Sequence, residues 1–262
     1  MRIPFFLFPG VACLRDVYED QIRNLSPYFD VCVPKLLTPR RGETLECYAL
    51  RWAQEVFHFR YGNTTESNVH ERSEGCFIGG LSLGGIVAPL IGDFLQENGC
   101  PVHGCFCFAA YRDGTEMPES LRWQYRLLNP FFWHMEHVMA RTALCFANPK
   151  DKLLRVLLHQ FALSSPRTSA RTMKLVYRWR SPCTEHEFPI WRIHAEDDRS
   201  LPLRFTKTDS VLHSGGHFIT VTQPQKVNDF IMDHVTSLPS FTFLKEKSKV
   251  VACQPLNRVR KE

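Results

Sequence analysis

Residues 76–85, CFIGGLSLGG, restrict what this chain can fold into more than any other ten residues. The run is apolar at first, passes two glycines, reaches a serine between two leucines and leaves through two more glycines. Gly80, Leu81, Ser82, Leu83 and Gly84 match Gly-x-Ser-x-Gly, in which a cramped turn from strand to helix projects a serine hydroxyl above a sheet. Side chains two residues either side of the serine would collide with each other or with neighbouring backbone, and glycine at 80 and 84 removes the collision. A glycine-rich strand end without chemistry is the plain alternative. The surroundings favour the turn: Cys76, Phe77 and Ile78 form an apolar approach, and Ile86, Val87, Leu90, Ile91, Phe94 and Leu95 recur afterwards at helical spacing.

A chain of 262 residues, 44% of them hydrophobic, can bury one substantial core, and the length suits one domain with an insertion. The ten cysteines are spread singly, several inside apolar runs, without metal-like spacing, which predicts free thiols in a reducing cytoplasm and no metal. Cys105 and Cys107 would share one face of a strand and pack there. The early first apolar run leaves no room for the regions of a signal peptide, so none is expected, and no apolar stretch approaches the roughly 20 residues of a membrane span.

Taken in order, residues 3–8 predict a strand, followed by a loop at Pro9 and Gly10 and a helix presenting Leu14, Val17, Tyr18, Ile22 and Leu25. Further strands are predicted at 31–33, 76–78, 102–109, 191–195 and 210–213, with helical sequence between them. That alternation is the pattern of a parallel sheet covered by helices on both faces.

Separated residues meet above such a sheet where neighbouring strands end. The segment 191–202, WRIHAEDDRSLP, takes an apolar strand into Glu196, Asp197 and Asp198, any of which could orient a base or simply cap a turn. Downstream, His217 sits on a glycine-hinged loop, Ser214-Gly215-Gly216-His217-Phe218, after the last strand and before a helix that Pro224 opens. Serine, acid and histidine thus follow one another in the order known from one hydrolase architecture, which differs from the chymotrypsin and subtilisin orders.

With these segments in view, the sequence resembles the α/β-hydrolase superfamily, in its serine esterase and lipase-like branch, over roughly residues 3–235. The resemblance rests on LFPGVA at 7–12, GGLSLGG at 79–85, IHAEDDRSLP at 193–202 and SGGHF at 214–218. It implies an α/β-hydrolase fold with a mostly parallel central sheet of about six strands, the family's first two strands being absent, helices on both faces and an inserted helical lid. The resemblance selects Asp198 among the three acids and implies a Ser82–Asp198–His217 triad without metal or organic cofactor. His217 would take the proton of Ser82 as it attacks an acyl carbon, and Asp198 would orient the imidazole. The amide of Leu83 would hold the oxyanion together with that of Val11 or Ala12. Many relatives carry His-Gly where this chain has Phe8, Pro9 and Gly10, so the choice between Val11 and Ala12 stays open. The core is expected at residues 1–110 and 190–240, the lid at 111–189 and a partly ordered basic tail at 241–262.

The expected activity is cleavage of a carboxylic ester or thioester through an acyl-enzyme. Carbon-carbon bond hydrolysis, lyase or perhydrolase chemistry on the same triad, and a non-catalytic binding module on the same scaffold, are the competing readings. Residues 112–180 hold twelve Lys or Arg against five Asp or Glu, a balance of +7 against +5 for the whole chain. An excess of that sign at a pocket mouth would steer acidic substrates. Similarity to pimeloyl-carrier-protein methyl ester esterases extends this to a carrier-bound acyl ester as well as a small molecule. No nucleic-acid motif accompanies the basic residues, and the oligomeric state is left open.

Overall fold

Chain segments apolar on both faces are suited to the middle of a sheet, and the computed structural model places β-strands there in a six-stranded sheet. It describes residues 2–62, 72–148, 152–182 and 184–244. The strands are β1 (Ile3–Phe8), β2 (Phe29–Cys32), β3 (Cys76–Leu81), β4 (Val102–Phe108), β5 (Ile190–Ala195) and β6 (Ser210–Leu212). Their order is β2-β1-β3-β4-β5-β6, and every neighbouring pair is parallel.

Alternation along each strand sends successive side chains to opposite layers. Phe6, Phe8, Ile78, Cys105 and Cys107 face α2 (Leu45–Tyr61) and α3 (Leu83–Glu97), where Trp52, Val87 and Ile91 meet them. Phe5, Leu7, Phe77, Phe106 and Phe108 face the opposite layer, built from α1 (Glu19–Leu25) and α8 (Pro224–Ser237) with Leu25, Val227 and Ile231. Cys105 and Cys107 do share a face, with their sulfurs 3.9 Å apart. The eight cysteines within the described residues are all free.

Three helices lie between β4 and β5: α4 (Glu119–Phe146), α5 (Lys152–Leu163) and α6 (Pro166–Arg178). The first packs against both others. Buried Arg122, near the start of α4, fastens this group by donating to the carbonyls of Met117 (3.0 Å), Tyr177 (2.9 Å), Trp179 (2.6 Å) and Gly114. A buried guanidinium is tolerated because its donors are shared among fixed acceptors, with Glu119 3.5 Å away as counter-charge. A single turn, α7 (Ile219–Thr222), precedes α8.

The amphipathic pattern of the inserted helices is only partly spent on packing. Tyr125 and Trp133 turn inward, whereas Leu127, Phe131, Val138 and Met139 are exposed. Phe241 and Leu244, assigned to the tail on sequence grounds, are buried, and Phe241 packs edge to face with Phe77 at 5.0 Å. Residues 245–262 of that expected tail, and residues 63–71 of the polar crossing before β3, lie outside the described residues. Among the described residues, no helix is long and apolar enough to cross a membrane.

Candidate active site

Ser82 stands between β3 and α3 with φ 56° and ψ −120°, a left-handed backbone that a non-glycine residue adopts only where its surroundings enforce it. The enforcing contacts are visible at both glycines of the motif. A Cβ on Gly80 would come within 2.3 Å of the Gly84 carbonyl carbon, and one on Gly84 within 1.9 Å of the Phe8 oxygen. Neither position has room for a methyl group. Backbone hydrogen bonds complete the turn, from Ser82 to the Phe108 carbonyl and from Ile86 back to that of Ser82, both 2.9 Å.

Tyr18 adds a brace that its apolar periodicity conceals. Its buried hydroxyl donates to the Phe8 carbonyl (2.7 Å) and accepts from the Leu81 amide (2.6 Å), linking the ends of β1 and β3 immediately before the serine.

The three acids of the β5 loop have separate partners. Asp198 Oδ2 accepts from His217 Nδ1 at 2.8 Å, and its Oδ1 accepts the amides of Ser200 (2.8 Å) and Leu201 (2.9 Å). Asp197 instead takes the Gly216 amide at 2.8 Å, which holds the histidine loop, and Glu196 faces His213 at 3.4 Å. Burial by itself pushes the Asp198 carboxyl up. The facing His217 charge, with hydrogen bonds from His194, His217 and Leu201, overrides burial and holds the carboxyl well below its ordinary value.

His194, which sequence reasoning left without a role, lies four residues before that acid. Its Nε2 is 2.7 Å from the Leu201 carbonyl and 3.2 Å from Asp198 Oδ2. A carbonyl only accepts, so this nitrogen carries the proton and shares it toward both oxygens. Asp198 therefore has four donors around it, and its direction is fixed before any substrate arrives.

Ser82 and His217 line one cavity of about 210 Å³, walled also by Val11, Tyr125, Trp133 and Met173. No hydrogen bond joins the two residues here; such contacts commonly tighten only on substrate binding. The loop after β1 lies directly against the serine: a Cβ on Gly10 would meet the Ser82 Cβ at 3.2 Å. Val11 is on the cavity wall, whereas Ala12 is fully buried with φ 59° and stays off it. Among the described residues, neither the Val11 nor the Leu83 amide has an acceptor. Cys13 also reaches the cavity, but burial pushes its thiol up to about 12, so it is not a rival nucleophile at neutral pH. Among the described residues, no group of three or more His, Cys, Asp or Glu is placed to hold a metal.

No protein-family model and no curated protein sequence matches the chain. Similarity is found with solved structures. A thermophilic esterase from Thermogutta terrifontis superposes with a TM-score of 0.61 at 18% identity over 90% of each chain. The fold is that of the α/β hydrolases. A carboxylesterase of the thaumarchaeon Nitrososphaera gargenis gives 0.63 at 14% identity, again over 90% of each chain. Esterase RhEst1 from Rhodococcus sp. ECU1013 gives 0.62 at 14%, over 90% of this chain and 91% of that one. Six parallel strands, the trimmed sheet expected from the sequence, carry the α/β-hydrolase arrangement here.

Proposed function

We propose that this protein is a serine hydrolase that cleaves a small carboxylic ester or thioester through an acyl-enzyme. The observation that carries the reading is the 2.8 Å contact of Asp198 with a histidine that shares a cavity with a serine held at φ 56°. Its support from known proteins is the esterase identity of the structural neighbours. In the first half-reaction His217 Nε2 takes the Ser82 proton as Oγ attacks the acyl carbon. Asp198 accepts from Nδ1, which keeps Nε2 free as the base and stabilises the imidazolium. The amides of Leu83 and Val11 hold the oxyanion, Val11 being favoured over Ala12 because it reaches the cavity. His217 then returns the proton to the departing alcohol or thiol, and in the second half-reaction it activates water to release the acid. The helices α4–α6 act as a lid. A volume somewhat below the roughly 300–1,000 Å³ of drug-sized ligand sites favours a short acyl or alcohol part. A panel of nitrophenyl esters of increasing chain length tests this: kcat/KM peaks at short chains, and absence of turnover across the panel counts against the ester reading.

One surface feature favours a second component, an acidic partner presenting the ester. A groove between residues 39–46 and α6 carries Arg40, Arg41, Arg171, Lys174, Arg178 and Arg180. Its two acids are already engaged, Glu43 by Arg51 at 2.8 Å and Glu46 by Ser181. A carrier protein with acidic helices suits this surface, and steering to it is screened by salt.

A further inference from the structure

Inside the cavity of Ser82 and His217, the charge is opposite in sign to that of the outer groove. Glu136 of α4 follows Trp133 by three residues and Phe132 by four, so the three share a helix face, and all of them line the cavity with Ser82 and His217. Among the described residues, Glu136 is the one carboxyl on this wall. Its Oε2 is shielded from solvent and has no hydrogen-bond partner among the described residues. Buried carboxyl oxygens are ordinarily paired, because desolvating one without a partner is costly. The catalytic scheme above makes no use of it. Burial also pushes this carboxyl up to about 7.

The groups around it indicate what that group is. Phe132 and Trp133 pack edge to face at 5.4 Å, and Phe161 and Phe218 do so at 6.1 Å, all four on the cavity wall. Aromatic faces around a carboxylate attract an alkylated ammonium, which they accept through the negative face of the ring while the carboxylate supplies the counter-charge. A neutral hydroxyl would use the oxygen but gain nothing from the rings. An anion would be repelled by Glu136 and find no cationic Lys or Arg on the wall among the described residues.

We infer that Glu136 and the surrounding aromatic rings form a subsite for a cationic ammonium group on the substrate, making esters of amino alcohols or of amino acids the preferred class. This deepens the serine-hydrolase reading and rests on it. It is compatible with an acidic partner on the outer groove, because the two charges occupy different surfaces.

Two measurements on the full chain test the subsite. The first compares kcat/KM for choline butyrate and 3,3-dimethylbutyl butyrate, which have the same shape and differ by one positive charge. The ratio favours the choline ester and falls about tenfold in Glu136→Gln; Glu136→Leu, a second variant, lowers it at least as far. An unchanged ratio in both variants, or a wild-type preference for the neutral ester, overturns the subsite. The second measures binding of butyltrimethylammonium and of 3,3-dimethylbutanol by tryptophan fluorescence and needs no turnover, so a failed hydrolase reading is not confused with a failed subsite. Glu136→Gln weakens the ammonium about tenfold and the alcohol much less. Equal losses for both, or no ammonium binding by the wild type, overturn the proposal.

Discussion

Ser82, Asp198 and His217 leave the ends of β3, β5 and β6 and are held by backbone contacts, whereas Tyr125, Trp133, Glu136 and Met173 reach the same cavity from the inserted helices. The first group is crowded into place: methyl groups at 80 and 84 have no room, and Asp198 has four donors around it. The second group is held to the core by side chains instead: the Tyr125 hydroxyl donates to the Ser200 carbonyl at 2.7 Å, Arg171 to the Pro39 carbonyl at 2.9 Å, the Thr38 and Thr168 hydroxyls pair at 2.7 Å, and Gln160 accepts the Leu14 amide. Rigid strand ends suit a constellation that must be positioned to a fraction of an ångström, and a helical cover suits discrimination among substrates. The core should therefore govern turnover of every substrate alike, and the insert should govern which substrate is preferred.

Ser82→Ala is the largest predicted effect on the core side. It lowers kcat for neutral and cationic esters together, by about a millionfold on the scale seen when a serine protease loses its nucleophile, with the far-ultraviolet circular dichroism unchanged. Substantial turnover by the purified variant would break the covalent mechanism. Asp198→Asn comes next, at about ten thousandfold in kcat, since the amide favours the wrong tautomer of His217. Asp197→Asn costs far less, because Asp197 bonds only the backbone of the histidine loop. A reversed ranking, measured on one neutral ester, would move the acid to the neighbouring position.

Stability separates the two regions as well. Arg122→Leu leaves the buried carbonyls of Gly114, Met117 and Trp179 without this donor and should cost about 3 kcal/mol or more by urea denaturation, loosening the insert. Tyr18→Phe leaves the Phe8 carbonyl and the Leu81 amide unpaired and should cost about 1–3 kcal/mol while also lowering kcat for all esters. If Tyr18→Phe altered substrate preference instead, the division between core and insert would fail.

Salt gives the smallest effect and sharpens the comparison within α6 itself, which sends Met173 and Val176 to the cavity and Arg171, Lys174 and Arg178 to the groove. From low to high ionic strength, kcat/KM for an ester on an acidic carrier falls severalfold, while that for a small neutral ester hardly moves. Equal dependence would reduce the groove to an ordinary solvated surface.

The same division explains how much was legible in the sequence. Strands buried on both faces, β1, β3 and β4, leave continuous apolar runs, the half-exposed edge strands β2 and β6 were legible through the strand-helix alternation instead, and the elbow was readable because its glycines answer to backbone contacts that admit no substitute. Asp198 could not be separated from Asp197 by pattern alone; the structure distinguishes them by partner, one to the His217 ring and one to the Gly216 amide. Val11 and Ala12 are told apart by the cavity wall, which Val11 joins, and by the burial and positive φ of Ala12, none of which a local sequence signal encodes. His194 and Tyr18 were hidden because each also satisfies an apolar pattern. Glu136 did leave a signal, an acid amid Phe131, Phe132, Trp133, Met135 and Val138, but it was absorbed into a net charge. A charge count adds groups that a fold places on opposite sides of a wall.

The central claim is that Ser82 is a nucleophile activated by His217 and Asp198, and fluorophosphonate labelling of the intact protein followed by peptide mapping tests it most directly. The account predicts a single adduct on the peptide containing Ser82, absent in Ser82→Ala and slowed by orders of magnitude in His217→Ala. Absence of labelling in the folded wild-type protein, or an adduct on another serine, would contradict it.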